Sequence, residues 1–475
     1  MWKLSATELA AAVRSGELGA VEVVRAHLDR IAEVNPAVNA VTRTLEQEAV
    51  AAAADIDRRR AAGERLGPLA GVPFTVKENI DVRGSATTHG VPHFRNAMAG
   101  SDAPQVRRLR EADAIPIGRS NMPDMTIGGY GTTSQLFGET LNPWNSTKTP
   151  GGSSGGDGAA VAAGMAALGL GNDSGGSIRI PAMCCGITGL KASHGRLPVD
   201  HRVAGVEPTL ASQLLPVDGP LARMVADLRA AFEVLAGPDP CDPLAVPAPL
   251  DGPPPPEPIT VGVVSDPGGF GVHQDVRAAV EQAADALADA GYAVEEVELP
   301  RYADALTAYG KLISTEFGLS WPRIRPLLTE ESAQHMELSM ERMPPCSLAD
   351  YVKVTGDRHG IVRDWKRFQQ RYPLVVGPVS TQPVGDRDPR VSGPEEHMRS
   401  TLAISLNTVT TLVGVPAVAV PTGVGGASPS GGVPRGVQVI GGHFREDLCL
   451  AAAAEIERRF GTVTPVTPDW KGEQA

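Results

Sequence analysis

Thr149-Pro-Gly-Gly-Ser-Ser-Gly-Gly-Asp157 and, after an Ala-rich stretch, Gly171-Asn-Asp-Ser-Gly-Gly-Ser-Ile-Arg-Ile-Pro181 decide how this chain of 475 residues is read. Each segment sets hydroxyls among glycines. Glycine lets the main chain take φ > 0 and lets another group approach it closely. Successive N–H groups in such turns converge on one point, where they can hold an anion or a developing oxyanion. Between the two loops, Asp157 to Leu168 predicts a helix of small side chains that packs tightly on a sheet. Two such loops flanking one helix are too ordered for plain linkers.

Several chemistries fit glycine-rich loops, and most fail here. Neither segment ends in Lys followed by Ser or Thr, as a Walker A phosphate cradle requires, and the spacing is wrong for a dinucleotide fingerprint. Gly151-Gly-Ser153-Ser-Gly155 formally matches the nucleophile elbow of α/β-hydrolases, with His443 as a downstream base. No apolar strand runs into it, however: residues 142–150 are polar and contain Pro143 and Pro150. A nucleophilic serine still needs a base. No histidine lies between His93 and His194, so neither loop supplies one locally. Lys77 ends the apolar run Val72–Val76. A lysine at a strand end ordinarily snorkels to water, but in a low-dielectric site it loses its proton more easily and its neutral amine can act as a base. The serine loops favour the second reading.

Outward from this centre, residues 1–65 read as helices. Ser5-Ala-Thr-Glu8 is a capping box, a second helix runs from Ala20 to Val34 and stops before Pro36, and a third covers Leu45 to Ala62. Val72–Ile80 and Ala112–Gly118 read as strands, and Asp218–Leu235 includes a helix. Residues 238–258, with four consecutive prolines from Pro253, form a surface linker. Beyond it, a strand (Ile259–Val264), a helix (Asp275–Gly291) and a strand (Val294–Leu299) make a βαβ unit. The alternation predicts one α/β domain over 1–475, with N-terminal helices (1–65), a core (66–237), the linker (238–258) and the remainder of the α/β core (259–475).

Composition narrows the partners. A net charge of −12 without a basic cluster argues against nucleic acid. Five scattered cysteines make neither a disulfide framework nor a zinc site, and Cys184 and Cys185 read as small buried residues. The N-terminus lacks a signal-peptide profile. Leu402–Val420 is apolar, but Asn407, Gly414 and Pro416 suit a buried helix and strand (Ala417–Val420) better than a membrane span. A cytoplasmic protein with no membrane contact, metal or cofactor is expected.

Taken together, the residues resemble the amidase signature family. The resemblance rests on Gly151–Gly156, on Asp173-Ser-Gly-Gly-Ser-Ile-Arg179, and on Gly71–Lys77, Gly118–Met122, Asn142–Trp144, Cys185–Lys191, Gly414–Pro421 and Gly436–Ile440. It covers nearly the whole chain and is weakest between Pro238 and Pro389. It implies a mixed central β-sheet covered by helices on both faces, and hydrolysis of a small-molecule amide to acid and ammonia or amine. The family's two serines stand 24 positions apart, as Ser153 and Ser177 do. The resemblance therefore implies Ser177 as nucleophile, Ser153 as bridging serine after a cis peptide bond, and Lys77 as base, with Ser154 a neighbour. It implies an oxyanion hole from the N–H groups of Ser174, Gly175, Gly176 and Ser177, an Asp173–Arg179 ion pair that braces the loop, and a pocket lined near Ile127. Many relatives are dimers, so a homodimer is compatible with it. Asn172 and Ser174 stand where the family often has Thr/Ser and Thr/Ile, and Glu78 where Asp is common. Two other readings remain: the glutamine-hydrolysing subunit of a tRNA-dependent amidotransferase, and a non-catalytic binding protein on the same fold. The segment Arg196-Leu-Pro-Val-Asp-His201 departs from the Arg-Tyr-Gly pattern of the amidotransferase branch.

Overall fold

A computed structural model describes residues 1–128, 130–387, 393–425 and 432–468. The strands are β1 (Val41–Thr44), β2 (Pro73–Lys77), β3 (Ile115–Ser120), β4 (Thr133–Ser134), β5 (Gly138–Glu139), β6 (Leu168–Asp173), β7 (Thr188–Lys191), β8 (Val217–Ala222), β9 (Thr260–Val263), β10 (Ala293–Glu296), β11 (Leu374–Pro378), β12 (Ala417–Gly425) and β13 (Val433–Gly441). All but the β4–β5 hairpin join one sheet, in the order β1-β3-β2-β6-β8-β7-β12-β13-β11-β9-β10. β2 runs parallel to β3 and β6, and β9 parallel to β10 and β11; the other neighbours are antiparallel. The expected mixed sheet and the βαβ unit are both present.

Alternation along the strands sends side chains to opposite faces. Val418 and Val420 of β12 enter one apolar cluster, while Ala417 and Ala419 enter clusters on the other side. The first cluster is covered by α1 (Ala6–Ser15), α3 (Glu46–Ala61), α4 (Pro104–Glu111), α8 (Val225–Leu235), α9 (Gln274–Asp289) and α15 (Glu446–Phe460). The opposite face carries the C-terminal half of α2 (Ala20–Val38, whose Ala20, Val23 and Val24 join the first cluster), α5 (Gly155–Ala162), α6 (Arg179–Cys185), α10 (Tyr302–Ile324), α12 (Leu348–Arg371) and α14 (Ser405–Val413). On β2 the same alternation buries Phe74 and Val76 in the first cluster, so Thr75 and Lys77 face the other side, towards α5.

The capping box at Ser5 forms as read: Glu8 N–H reaches the Ser5 hydroxyl and Ser5 N–H reaches the Glu8 carboxylate. Three readings need correction. α2 continues through Pro36 to Val38. A proline this close to a helix end forfeits a single backbone bond, and the Asn35 side chain accepts from the Ala40 and Val41 N–H groups just beyond. Val41–Thr44 is an edge strand inside the segment read as helical. The Ala-rich helix ends at Ala162, and Leu168 opens a buried strand.

The proline-rich segment contains no helix or strand between Leu235 and Thr260. It lies against the body through Arg196, a fully buried side chain whose guanidinium donates to the carbonyls of Ala248 and Pro249. The uncharged stretch from Ser400 folds as a wholly buried α14 followed by β12; residues 426–431 lie outside the described residues. No helix among the described residues is long and apolar enough to cross a membrane.

Candidate active site

β2 and β6 are parallel neighbours, so their carboxyl ends emerge side by side. One end carries Lys77 and the other Asn172 and Asp173. The loop before α5 brings Ser153 and Ser154 over them, and the Gly152–Ser153 peptide bond is cis, as the resemblance implies. Lys77 is fully buried. Its amine lies 2.7 Å from Ser153 Oγ, 2.9 Å from Ser154 Oγ and 2.7 Å from Asn172 Oδ1. Burial lowers its pKa to about 7 against the opposing pull of Asp157, Asp218 and Asp173. Burial thus favours the neutral form of an amine that touches two serine hydroxyls.

Ser177 is half-buried, at the start of α6, while Ser153 is 3% exposed. The two serine loops meet where Ser154 N–H donates to the Ser177 carbonyl oxygen at 3.2 Å. The Ser177 hydroxyl makes no hydrogen bond to that of Ser153. Such links commonly tighten only with substrate bound.

Asp173 and Arg179 form a buried two-pronged ion pair, with Nε to Oδ2 and a terminal nitrogen to Oδ1 both at 2.9 Å. Burial alone would raise the Asp173 pKa, but Arg179 outweighs it and holds the carboxyl near 2. Arg179 also donates to the hydroxyls of Thr410 and Thr411, to the Asn407 carbonyl and to Gln438 Oε1. The loop is thus tied to both α14 and β13. Replacing Asp173 with Ala strands a buried guanidinium, and the expected cost is about 3–5 kcal/mol. Urea unfolding followed by circular dichroism reads it; a change within about 1 kcal/mol would mean that the α14 and β13 acceptors suffice for Arg179.

One expectation shifts. The Gly175 and Gly176 N–H groups both donate to Asp173 Oδ1, at 3.2 and 2.7 Å. Both are engaged in shaping the turn. Among the described residues, the Ser174 and Ser177 N–H groups have no such acceptor. Ile127 is buried in a small apolar cluster with Leu328, Ala333 and Met336, flanked by Phe317 and Trp321. Its loop is tied to α11 (Glu330–Arg342) by the buried Asp124, which accepts from the Thr329 and Gln135 N–H groups.

The sequence profile of the amidase family matches residues 22–450. The chain belongs to this family. It is 41% identical over 98% of its length, and 88% of the relative's, to an indoleacetamide hydrolase of Bradyrhizobium diazoefficiens. It is 35% identical to a glutamyl-tRNA(Gln) amidotransferase subunit of Symbiobacterium thermophilum, over 95% of each chain. Its fold matches that of a bacterial aryl acylamidase of the amidase signature family with a TM-score of 0.80, at 26% identity and 96% coverage of each chain.

This amidase carries site residues that motif reading passes over. Ser154, expected only as a neighbour, touches Lys77 directly. Asn172 does so through a side chain that the sequence marks as unusual without giving its direction. Asp157, at the start of α5, is fully buried and accepts from the Thr75 and Ser120 hydroxyls. Tyr309 of α10 donates to the Ser174 carbonyl at 2.7 Å, and so steadies the loop that carries Ser177 from a helix distant in sequence. Alternation on β2, with Thr75 two residues before Lys77, could have pointed to a polar partner for Thr75; nothing in the sequence points to Tyr309.

Proposed function

We propose that this amidase hydrolyses small carboxylic amides that carry an aromatic acyl group, an arylacetamide in the first instance, through an acyl-enzyme on Ser177. The observation that carries the chemistry is the buried Lys77 amine 2.7 Å from Ser153 Oγ. Neutral Lys77 takes the proton of Ser153 as Ser153 takes that of Ser177. Ser177 Oγ then attacks the amide carbon, and the oxyanion is received at the Ser174 and Ser177 N–H groups. The carbon–nitrogen bond breaks as the proton returns from Lys77 through Ser153 to the leaving nitrogen, which departs as ammonia or amine. Water, deprotonated by the same chain, attacks the ester carbonyl and releases the acid. Asp173 and Arg179 hold the loop in shape. The substrate class is supported by the indoleacetamide hydrolase relative and by the apolar cluster of Ile127, Met336, Phe317 and Trp321. The five cysteines are free thiols, which supports a reducing, cytoplasmic setting.

The test is intact-mass spectrometry after fluorophosphonate treatment, with peptide mapping, alongside ammonia release from indole-3-acetamide. A single adduct on Ser177 is expected; an adduct on Ser153, or none, would sink the assignment. The labelling rate also has a predicted pH profile. Below about pH 7 Lys77 carries its proton and cannot accept another, so the rate falls roughly tenfold per pH unit on the acid side and levels above it. A glutamine-hydrolysing role is the second reading, favoured by the 35% identity to the amidotransferase relative. Ammonia release from glutamine but not from indole-3-acetamide would select it.

A further inference from the structure

The Asn172 side chain points at the amine of Lys77 from the carboxyl end of β6. A protonated lysine has three N–H donors and no lone pair; a neutral one has two N–H donors and one lone pair. Which way that lone pair points decides whether the amine can serve as a base. In this structure three oxygens surround the nitrogen: Asn172 Oδ1 at 2.7 Å, Ser154 Oγ at 2.9 Å and Ser153 Oγ at 2.7 Å.

Two of the three can only accept. A carboxamide oxygen has no proton to give. The Ser154 hydroxyl gives its own proton to the Asn172 carbonyl oxygen, at 3.3 Å, so it too presents lone pairs to the lysine. When Lys77 is neutral, its two N–H bonds are taken by Asn172 Oδ1 and Ser154 Oγ. The remaining tetrahedral direction faces Ser153.

We infer that Asn172 is a positioning residue for the base: as an acceptor that cannot donate, it takes up one N–H of neutral Lys77 and so directs the amine's lone pair onto the Ser153 hydroxyl. The inference rests on the Lys77–Ser153–Ser177 reading proposed above. A neutral side chain matters as well as an accepting one. Lys77 already faces the carboxylates of Asp157 on α5, Asp173 on β6 and Asp218 on β8, each of which favours its charged form. Asp218 is the cross-strand partner of Asn172 itself. On the β3 side the Arg119 guanidinium donates to the Lys77 carbonyl oxygen at 3.0 Å, so it meets the backbone of Lys77. A fourth carboxylate, in direct contact with the nitrogen, would hold the proton on the lysine that must lose it. The amide supplies the acceptor without the charge.

The experiment follows fluorophosphonate labelling of Ser177 against pH in the full-length protein and three variants. Labelling reads the activated serine without needing the natural substrate. In Asn172→Leu the acceptor is gone, and the plateau rate is expected to fall at least about tenfold. In Asn172→Asp the acid-side midpoint is expected to move up by one pH unit or more, with the rate recovering at higher pH. In Asn172→Thr, where the hydroxyl can donate as well as accept, the plateau rate is expected to fall at least about threefold with the midpoint unmoved. A merely structural asparagine would lower rates without moving the midpoint. An Asn172→Asp profile that coincides with the parent's, or an Asn172→Leu plateau equal to it, would overturn the inference. Should Asn172→Leu fail to fold, the Asn172→Asp midpoint decides alone. Failure of the parent protein to label at Ser177 would instead overturn the underlying triad, which keeps the two failures apart.

Discussion

Ser177→Ala is expected to abolish amide turnover, by roughly 10⁴-fold or more, while leaving the fold and its melting temperature unchanged. The reason for both halves is local. The side chain lost is a half-buried hydroxyl that makes no hydrogen bond to Ser153, so little stability depends on it. The turn that carries it is shaped by Asp173, whose carboxylate accepts from the Gly175, Gly176 and Ile178 N–H groups and from Arg179. None of these contacts involves the Ser177 side chain. Steady-state ammonia release from indole-3-acetamide measures the first half and differential scanning calorimetry the second. Retention of more than about a tenth of the parent rate would place the nucleophile elsewhere.

Lys77→Ala has an effect of similar size with a different signature. Removing the proposed base leaves Ser177 intact but unactivated, and a loss of about 10³-fold or more is expected in both turnover and fluorophosphonate labelling. Raising the pH to 10 should not restore the rate, because a serine hydroxyl stays protonated there. Recovery of activity with rising pH would point to another base. The fold is a separate question: the amine is fully buried and bonds three oxygens. Its removal takes away a buried charge that is costly to hold, and it leaves Asn172 Oδ1 without its donor. Lys77→Met, which fills the volume, guards against a collapsed site.

Much of this was legible in the chain because glycine and serine spacing is set by local geometry. The two loops, the capping box at Ser5, the βαβ unit after residue 258 and the buried helix after Ser400 each answer to a short-range rule. What escaped the sequence depends on contacts between distant segments. Leu168 reads as the end of the Ala-rich helix and Gly171–Asp173 as the start of a loop; pairing with β2 and β8 makes Leu168–Asp173 a strand. Pro36 reads as a stop, yet it sits where the helix has little left to lose. At the site, the resemblance to the family points to Lys77, Ser153 and Ser177, whereas Asn172, Asp157 and Tyr309 become partners only once β2, β6, α5 and α10 have assembled. The proposed oxyanion donors illustrate the same limit. Four consecutive N–H groups look equivalent in sequence, and only the position of the Asp173 side chain separates the two it engages from the two it leaves.

The pairing of β7 with β12 has a consequence for how the protein is made. Lys191 stands opposite Ala417, and Gly189 opposite Ala419. A ribosome that has released the chain through residue 237 has delivered six strands of the main sheet, β1, β2, β3, β6, β7 and β8, with β7 at their outer margin. The strand that covers that margin is not synthesised until some 180 residues later, which at ordinary translation speeds is a delay of roughly 10–40 s. Throughout that interval a strand edge with unpaired backbone N–H and C=O groups faces the crowded cell, so a nascent-chain chaperone would find its client in the half-made sheet rather than in the finished enzyme.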